Sequence, residues 1–291
     1  MPSIFRSVRH GLVVAGVAAG LLALSACSAG STADAEPTAE GTPIAGAESS
    51  LPTVVDGTLT IATGEPAYEP WVKNDDPASC EGFEAAVACA VAEQLGFTTD
   101  DITWVRTTFD AAITPGEKDW DLNIQQYSIS EDRAKAVDFS SPYYTTSQVV
   151  VAKDDATAKT LGSIDALKKA SVGVMVGTTS YTTLVDATGV EPQVFNTNAD
   201  LVAALQSGQI DAIVTDLPTA FYVTGAQVEG SAIVGQFADT TGGDELAFVL
   251  PKDSKLTADV TAAVDALRDS GKLEEITTKW LSTEAAVPVL K

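Results

Sequence analysis

The chain has 291 residues, 45 % of them hydrophobic, and 17 Lys and Arg stand against 40 Asp and Glu for a formal charge of −23. Such a length can bury a core of one or two domains. The acidity argues against a nucleic-acid ligand, because phosphate binding draws on clustered Lys and Arg and the chain carries no basic stripe; it signals a well-solvated surface instead. The only histidine, His10, falls in a segment read below as a leader. A mature chain without histidine builds no Ser-His-Asp triad, no Cys-His dyad and no His-based metal site, while carboxylate or lysine catalysis stays open.

In chain order, Arg6, Arg9 and His10 precede the apolar run from Gly11 to Leu24. The run is shorter than the roughly 18 residues a membrane-spanning helix needs, and it fits the core of a signal peptide. It ends at Leu24-Ser25-Ala26-Cys27. Small residues before a cysteine resemble the lipobox of bacterial lipoproteins, which implies cleavage after residue 26 and a lipid anchor, palmitate included, on Cys27. The alternative is an ordinary signal peptide with an incidental cysteine. Residues 27–54 shift to Ala, Ser, Thr, Gly, Glu and Pro. That composition cannot offset its chain entropy by burial, so a flexible tether is expected.

With Cys27 lipidated, Cys80 and Cys89 remain as an even pair in an oxidising compartment. They form a disulfide if the loop before the helix folds back along it; otherwise Cys89 packs as a small apolar residue.

The folded part reads as alternating strands and helices. Leu59 to Ala62 is a strand; Phe83, Val87, Ala90, Val91 and Leu95 make a helical stripe; Ile102 to Val105 and Asp121 to Tyr127 are strands. Gln148 to Ala152, Ser171 to Met175 and Asp211 to Val214 follow as strands, with helices near 163–170, 179–187, 198–207 and 217–224. A strand at Leu246 to Leu250 and helices at about 256–271 and 272–283 complete the chain. No internal repeat of 20–50 residues is evident. Such alternation predicts an α/β protein with mainly parallel sheets covered by helices on both faces. Ligands then bind beyond the carboxyl ends of strands, so Gly64 to Trp71, Gln125 to Arg133, Met175 to Ser180 and Thr215-Asp216 become the residues of interest.

A free amino acid needs an Arg fork and hydroxyl or backbone donors for its α-carboxylate, and a carboxylate for its α-ammonium. These strand ends supply such groups. The stretch Ala62-Thr63-Gly64-Glu65-Pro66-Ala67-Tyr68-Glu69-Pro70-Trp71, the Gly82-Phe83-Glu84 helix opening, and Gln125 to Arg133 followed by Val137 to Ser140 and Tyr143-Tyr144 occur in that order. Met175 to Ser180 and Asp211 to Asp216 complete the series. From about Gly57 to Thr283 the chain resembles the amino-acid-binding proteins of ABC importers, solute-binding protein family 3.

The resemblance implies a two-lobed, type II periplasmic-binding-protein-like fold with two hinge crossovers. Lobe 1 is expected at 55–143 and 244–291 and lobe 2 at 144–243, with crossings near Tyr144 to Ser147 and Thr241 to Asp244. It implies that Tyr68 caps the ligand side chain, Phe109 stacks on it, Arg133 clamps the α-carboxylate and Ser128 bonds to one end of the zwitterion. Gln126 offers its carbonyl to the ammonium and Tyr127 sits beside it. Thr178 and Thr179 present a helix N-terminus to the carboxylate, and Asp216 pairs with the ammonium unless it serves as a helix cap. Met175 stands where the family's glutamine binder has Lys, and Thr215 where it has His. Together with Glu65 these leanings favour a cationic side chain. No cofactor or metal is implied; the partners are a free amino acid and a permease, and the protein is a monomer. The competing readings are a cyclohexadienyl dehydratase-like enzyme using Glu65 as its acid, and an amino-acid sensor.

Overall fold

Leu59–Thr63 (β1) is buried along its whole length, as expected of an apolar strand covered on both faces. The computed structural model describes residues 51–238, 243–281 and 287–291, and the elements follow from β1 in chain order. First come α1 (Phe83–Gln94), β2 (Ile102–Arg106), α2 (Phe109–Ile113), β3 (Leu122–Asn123), β4 (Val137–Thr146) and β5 (Gln148–Ala152). Then come α3 (Asp155–Ala158), α4 (Ile164–Leu167), β6 (Val172–Met175), α5 (Thr179–Thr188), β7 (Gln193–Phe195) and α6 (Asn198–Gln206). The remainder is β8 (Ala212–Asp216), α7 (Leu217–Tyr222), β9 (Ala232–Gln236), β10 (Asp244–Pro251), α8 (Thr257–Asp269) and α9 (Lys272–Trp280).

The strands form two five-stranded sheets, ordered β2-β1-β3-β10-β4 and β7-β6-β8-β5-β9. Each sheet and its helices make one lobe. The chain passes from the first sheet to the second at Ser147 and returns between β9 and β10. Among the described strands, parallel ladders join β1 with β2 and β3, and β6 with β7 and β8. The strands flanking the crossings run antiparallel to their neighbours: β10 to β3 and β4, and β5 to β8 and β9. The expectation of mainly parallel sheets therefore needs correcting. A strand that hands the chain to the other lobe enters its sheet from the opposite end, and the direction reverses.

In the first lobe Leu59 and Ile61 of β1 and Leu246, Phe248 and Leu250 of β10 pack against Phe83, Val87 and Val91 of α1. The alternate residues, Ala62 and Val249, face Phe109, Trp120 and Tyr127 on the other side. In the second lobe Val149 and Val151 face α6, while Val150 and Val214 face Leu167 and Leu184. Of the stripe read at Phe83, Val87, Ala90, Val91 and Leu95, Phe83, Val87 and Val91 are buried on α1, while Ala90 and Leu95 are half-buried beside them. That helix starts at Gly82, whose φ is +100°, and a Cβ there would run into the backbone of Trp71 and Val72.

Three expected boundaries differ. Cys27, the leader and most of the tether lie outside the described residues. Leu51, however, packs against the first core and Val54 N–H donates to Asp121 Oδ1 at 2.7 Å, so the last residues of the expected tether are docked. At the other end residues 287–291 leave the first lobe for the second. Val289 bridges Gln236 of β9 in parallel, Ile164 N–H donates to the carbonyl of Lys291 at 2.9 Å, and Leu290 is buried there. The strand expected over Asp121 to Tyr127 shortens to Leu122–Asn123, because Gln126 turns into the left-handed region at φ +53°. Among the described residues no helix is long and apolar enough to cross a membrane.

Candidate functional site

A cleft of about 110 Å³ lies between the lobes, lined by the carboxyl ends of β1, β2, β6 and β8 and the loops after them. On the first-lobe side the loop after β1 brings Glu65 and Tyr68 to it, and α2 brings Phe109. Gln126, Ser128 and Arg133 follow β3. On the second-lobe side stand Met175, Thr178 and Thr179 after β6, and Asp216 at the end of β8. Ten of the eleven expected ligand residues thus share one cavity. The exception is Tyr127, which is fully buried and does not line it. Tyr127 stacks behind Phe109 with ring centroids 4.5 Å apart, and its hydroxyl bonds to the Phe109 carbonyl and to Gln125 Oε1. It supports the aromatic wall and is not part of it.

Arg133 begins a single 3-10 turn and reaches across the cleft. Its Nη1 donates to the Ser128 carbonyl at 2.7 Å and its Nη2 to the Gly177 carbonyl of the second lobe at 2.8 Å. The guanidinium carbon lies 5.3 Å from the centre of the Phe109 ring. These bonds use two of the five guanidinium N–H groups. Gly177 adopts φ +72°, a backbone conformation that favours glycine, and a Cβ there would push the Asp110 carboxylate aside. Thr178 occupies the N-cap of α5, yet its hydroxyl donates back to the Met175 carbonyl at 2.8 Å, so it does not cap the helix. The positive end of the α5 dipole is left facing the cleft.

Asp216 stands at the N-cap of α7 but its side chain makes no capping bond, which sets aside the purely structural role weighed for it. Its Oδ1 accepts from Gln148 Nε2 at 2.7 Å. Burial first, and then the nearby Asp244 carboxylate, push its carboxyl up to about 7.

Several supporting residues were not legible as such in the sequence. Glu84, fully buried at the start of α1, accepts from the Gln126 backbone N–H at 2.7 Å, from the Gln126 side chain and from the Tyr143 hydroxyl. It holds Gln126 in its left-handed turn, with the amide side chain facing Glu84. Burial pushes Glu84 up to about 7. Arg106 ties the loop after β1: it donates to the Gly64 carbonyl and to Asp75 Oδ1, both at 2.6 Å, and Asp75 Oδ1 accepts from Ala67 N–H at 2.8 Å. Asn196, before α6, and Asn198, its first residue, add neutral polar groups to the wall. Trp71 and Tyr68 reach the other lobe, through Thr219 Oγ1 at 2.9 Å and Ala199 N–H at 3.3 Å. Among the described residues no group of three His, Cys, Asp or Glu could hold a metal ion. Away from the cleft, Cys80 and Cys89 are joined in a disulfide with Cα atoms 6.0 Å apart.

Similarity to known proteins agrees with this geometry. Residues 59–283 match the family model of bacterial extracellular solute-binding proteins, family 3. The L-arginine-binding protein of Pseudomonas aeruginosa is 30% identical over 244 residues, covering 80% of this chain and 92% of that one. The arginine-binding extracellular protein ArtP of Bacillus subtilis is 28% identical over 209 residues, 70% of this chain and 78% of its own. Among solved structures, an ancestral arginine-binding protein bound to glutamine superposes with a TM-score of 0.66 at 29% identity, covering 79% of this chain and all of that one. The chain belongs to family 3 of the bacterial extracellular solute-binding proteins.

Proposed function

We propose that the protein captures a free amino acid with a polar, preferentially cationic, side chain and presents it to the permease of an ABC importer. The observation that carries this reading is the convergence of Arg133 and Asp216, from different lobes, on one closable cavity. An α-carboxylate at the Arg133 fork, beside the N-terminus of α5, and an α-ammonium at Asp216 would be held by both lobes at once. Ligand binding then favours the closed arrangement, because only there are both ends of the zwitterion satisfied. Tyr68 and Phe109 would enclose the side chain. Among the described residues lining the cleft, Glu65, exposed at the rim, is the carboxylate other than Asp216, beside the neutral Gln125, Asn196 and Asn198. The arginine-binding relatives point to the same cationic class.

In this reading the chain acts as a monomer, fixed to the outer face of the cell membrane by lipid on Cys27 after the leader is removed. Lobe 1 comprises about 55–146 and 244–281; lobe 2 comprises about 148–238 with 287–291. The protein binds without turnover and uses no cofactor. A thermal-shift screen of the twenty amino acids with ornithine, citrulline and cystine tests it, since a ligand bound only by the folded form raises the melting temperature. Arginine, lysine or ornithine should give the largest shift. No shift with any amino acid, or formation of an aromatic product from prephenate, overturns the assignment.

A further inference from the structure

Asp244, the first residue of β10, stands where the chain re-enters the first lobe, paired in register with Thr146 at the end of β4. Its Oδ2 accepts from Gln148 Nε2 and from Thr179 Oγ1, both at 2.8 Å. The same Gln148 nitrogen donates to Asp216 Oδ1 at 2.7 Å. Gln148 is itself oriented, because its Oε1 accepts from the buried Ser180 hydroxyl at 2.6 Å. One primary amide therefore directs its N–H groups at two carboxylates, and among the described residues neither carboxylate has a Lys or Arg ion pair.

The surrounding charges do not neutralise them. Glu84 from α1 adds negative potential at Asp216, and Tyr143 from β4 faces the same pair of acids. Arg133 is the cation acting on Asp216, but its hydrogen bonds go to the carbonyls of Ser128 and Gly177 and Asp110 lies on its other side. Asp186 of α5 opens on the same outer recess as Asp244. Two carboxylates on one neutral amide in a buried setting cannot both ionise without cost, and the carboxyl of Asp216 is held well above its ordinary range.

Building on the amino-acid-receptor reading, we propose that Asp216 and Asp244 act as one two-carboxylate site that holds a proton until an α-ammonium takes its place, with Asp244 a positioning residue acting through Gln148 and Thr179. The exchange balances. The carboxyl O–H bond breaks, its proton passes to solvent, and the ligand brings one positive charge as R–NH3+. Because every α-amino acid carries that ammonium, the linkage is independent of the side chain. Asp244 also holds the Thr179 hydroxyl, and with it the first residue of α5, against the crossing strands.

Titration calorimetry of the whole chain with L-arginine, and with L-glutamine as a second probe, tests the proposal at pH 6, 7 and 8.5 in buffers of different ionisation enthalpy. Between half a proton and one proton should be released per ligand at about pH 6, falling towards zero at about pH 8.5, with affinity changing by up to about tenfold per pH unit on the acid side. Asp244→Asn should move the release to lower pH, while Asp110→Asn leaves it in place; circular dichroism confirms that both are folded. Binding with no proton release at pH 6, or an unchanged profile in folded Asp244→Asn, overturns proton exchange alone. Absence of any binding by either probe, or by any member of the amino-acid panel, removes the receptor reading and this inference with it.

Discussion

The indole N–H of Trp71, otherwise sunk in the core of the first lobe, donates across the cleft to the hydroxyl of Thr219 on α7 at 2.9 Å. A second bond, from Ala199 N–H to the Tyr68 hydroxyl, lies on the same side of the opening. Neither involves a ligand atom, so both favour the closed arrangement whatever the cavity holds. Their effect on affinity is indirect: they lower the free energy of the form that binds.

Thr219→Val keeps the shape of the side chain and deletes the acceptor. A net hydrogen bond of about 0.5–1.5 kcal/mol, lost only in the closed form, should weaken amino-acid binding about two- to tenfold. Calorimetry reads the affinity, and tryptophan fluorescence reads the change around Trp71. A variant that binds as tightly as the parent would show that the bond adds nothing to closure.

Arg133 carries far more. Its guanidinium already joins the lobes through Ser128 and Gly177 and lines the cleft, where the proposed function has it receive the carboxylate. Arg133→Ala should reduce affinity at least about a hundredfold, the cost of on the order of 3–5 kcal/mol expected when a desolvated charge loses its partner. The variant should stay folded, as circular dichroism can check, because Arg133 belongs to neither lobe's hydrophobic core even though its guanidinium lies over Phe109. Near-normal affinity would remove Arg133 from the site.

The groups that touch the cleft were largely readable from the sequence, because they lie in short spans after strands: Gly64 to Trp71, Gln125 to Arg133, Met175 to Ser180. Their supports were not. Gln148 and Asp244 are 96 residues apart and are polar residues at strand starts, which look like ordinary surface until β5 and β10 are brought together at the crossings. Arg106 and Asp75 meet over 31 residues, and nothing local marks either as the tie for the Tyr68 loop. Tyr127 was misjudged for the opposite reason. It sits within a binding signature, but the turn at Gln126 points it into the core. In the fold, β4 was missed because polar Asp138, Ser140 and Ser141 interrupt its apolar pattern, and β7 because it is three residues long.

Glu84 should leave a mark on stability. Its folded carboxyl is pushed up to about 7 by burial, from an ordinary value near 4.5. The folded form therefore holds a proton that the unfolded form has given up between those values. That contribution to stability is fully present below the unfolded value and is lost as pH rises through the folded one. Asp216 acts in the same direction. The melting temperature measured without added amino acid should fall between about pH 5 and pH 8, reflecting a loss on the order of a few kcal/mol. Glu84→Gln should flatten part of this slope even if it lowers the melting temperature throughout, and saturating amino acid should flatten the part due to Asp216. A slope that rises with pH, or one that Glu84→Gln leaves intact, contradicts the assignment.

The Cys80–Cys89 bridge separates stability from binding. It closes a loop of nine residues' separation between the turn after Pro77–Ser79 and the middle of α1, and neither cysteine lines the cleft. A loop of that size restrains the unfolded chain by about 2–3 kcal/mol in the chain-entropy account, so reduction, or replacement of both cysteines by serine, should lower the melting temperature by about 4–12 °C. Affinity should change by less than about threefold. Glu84 and Trp71 keep their places through backbone bonds of their own: Phe83 N–H to the Pro70 carbonyl, and Glu84 N–H to the Trp71 carbonyl, both at 2.9 Å. A tenfold loss of affinity on reduction would instead mean that the bridge holds the Trp71 segment in register with Thr219. An unchanged melting temperature would mean that the backbone bonds around Gly82 already restrain this loop without it.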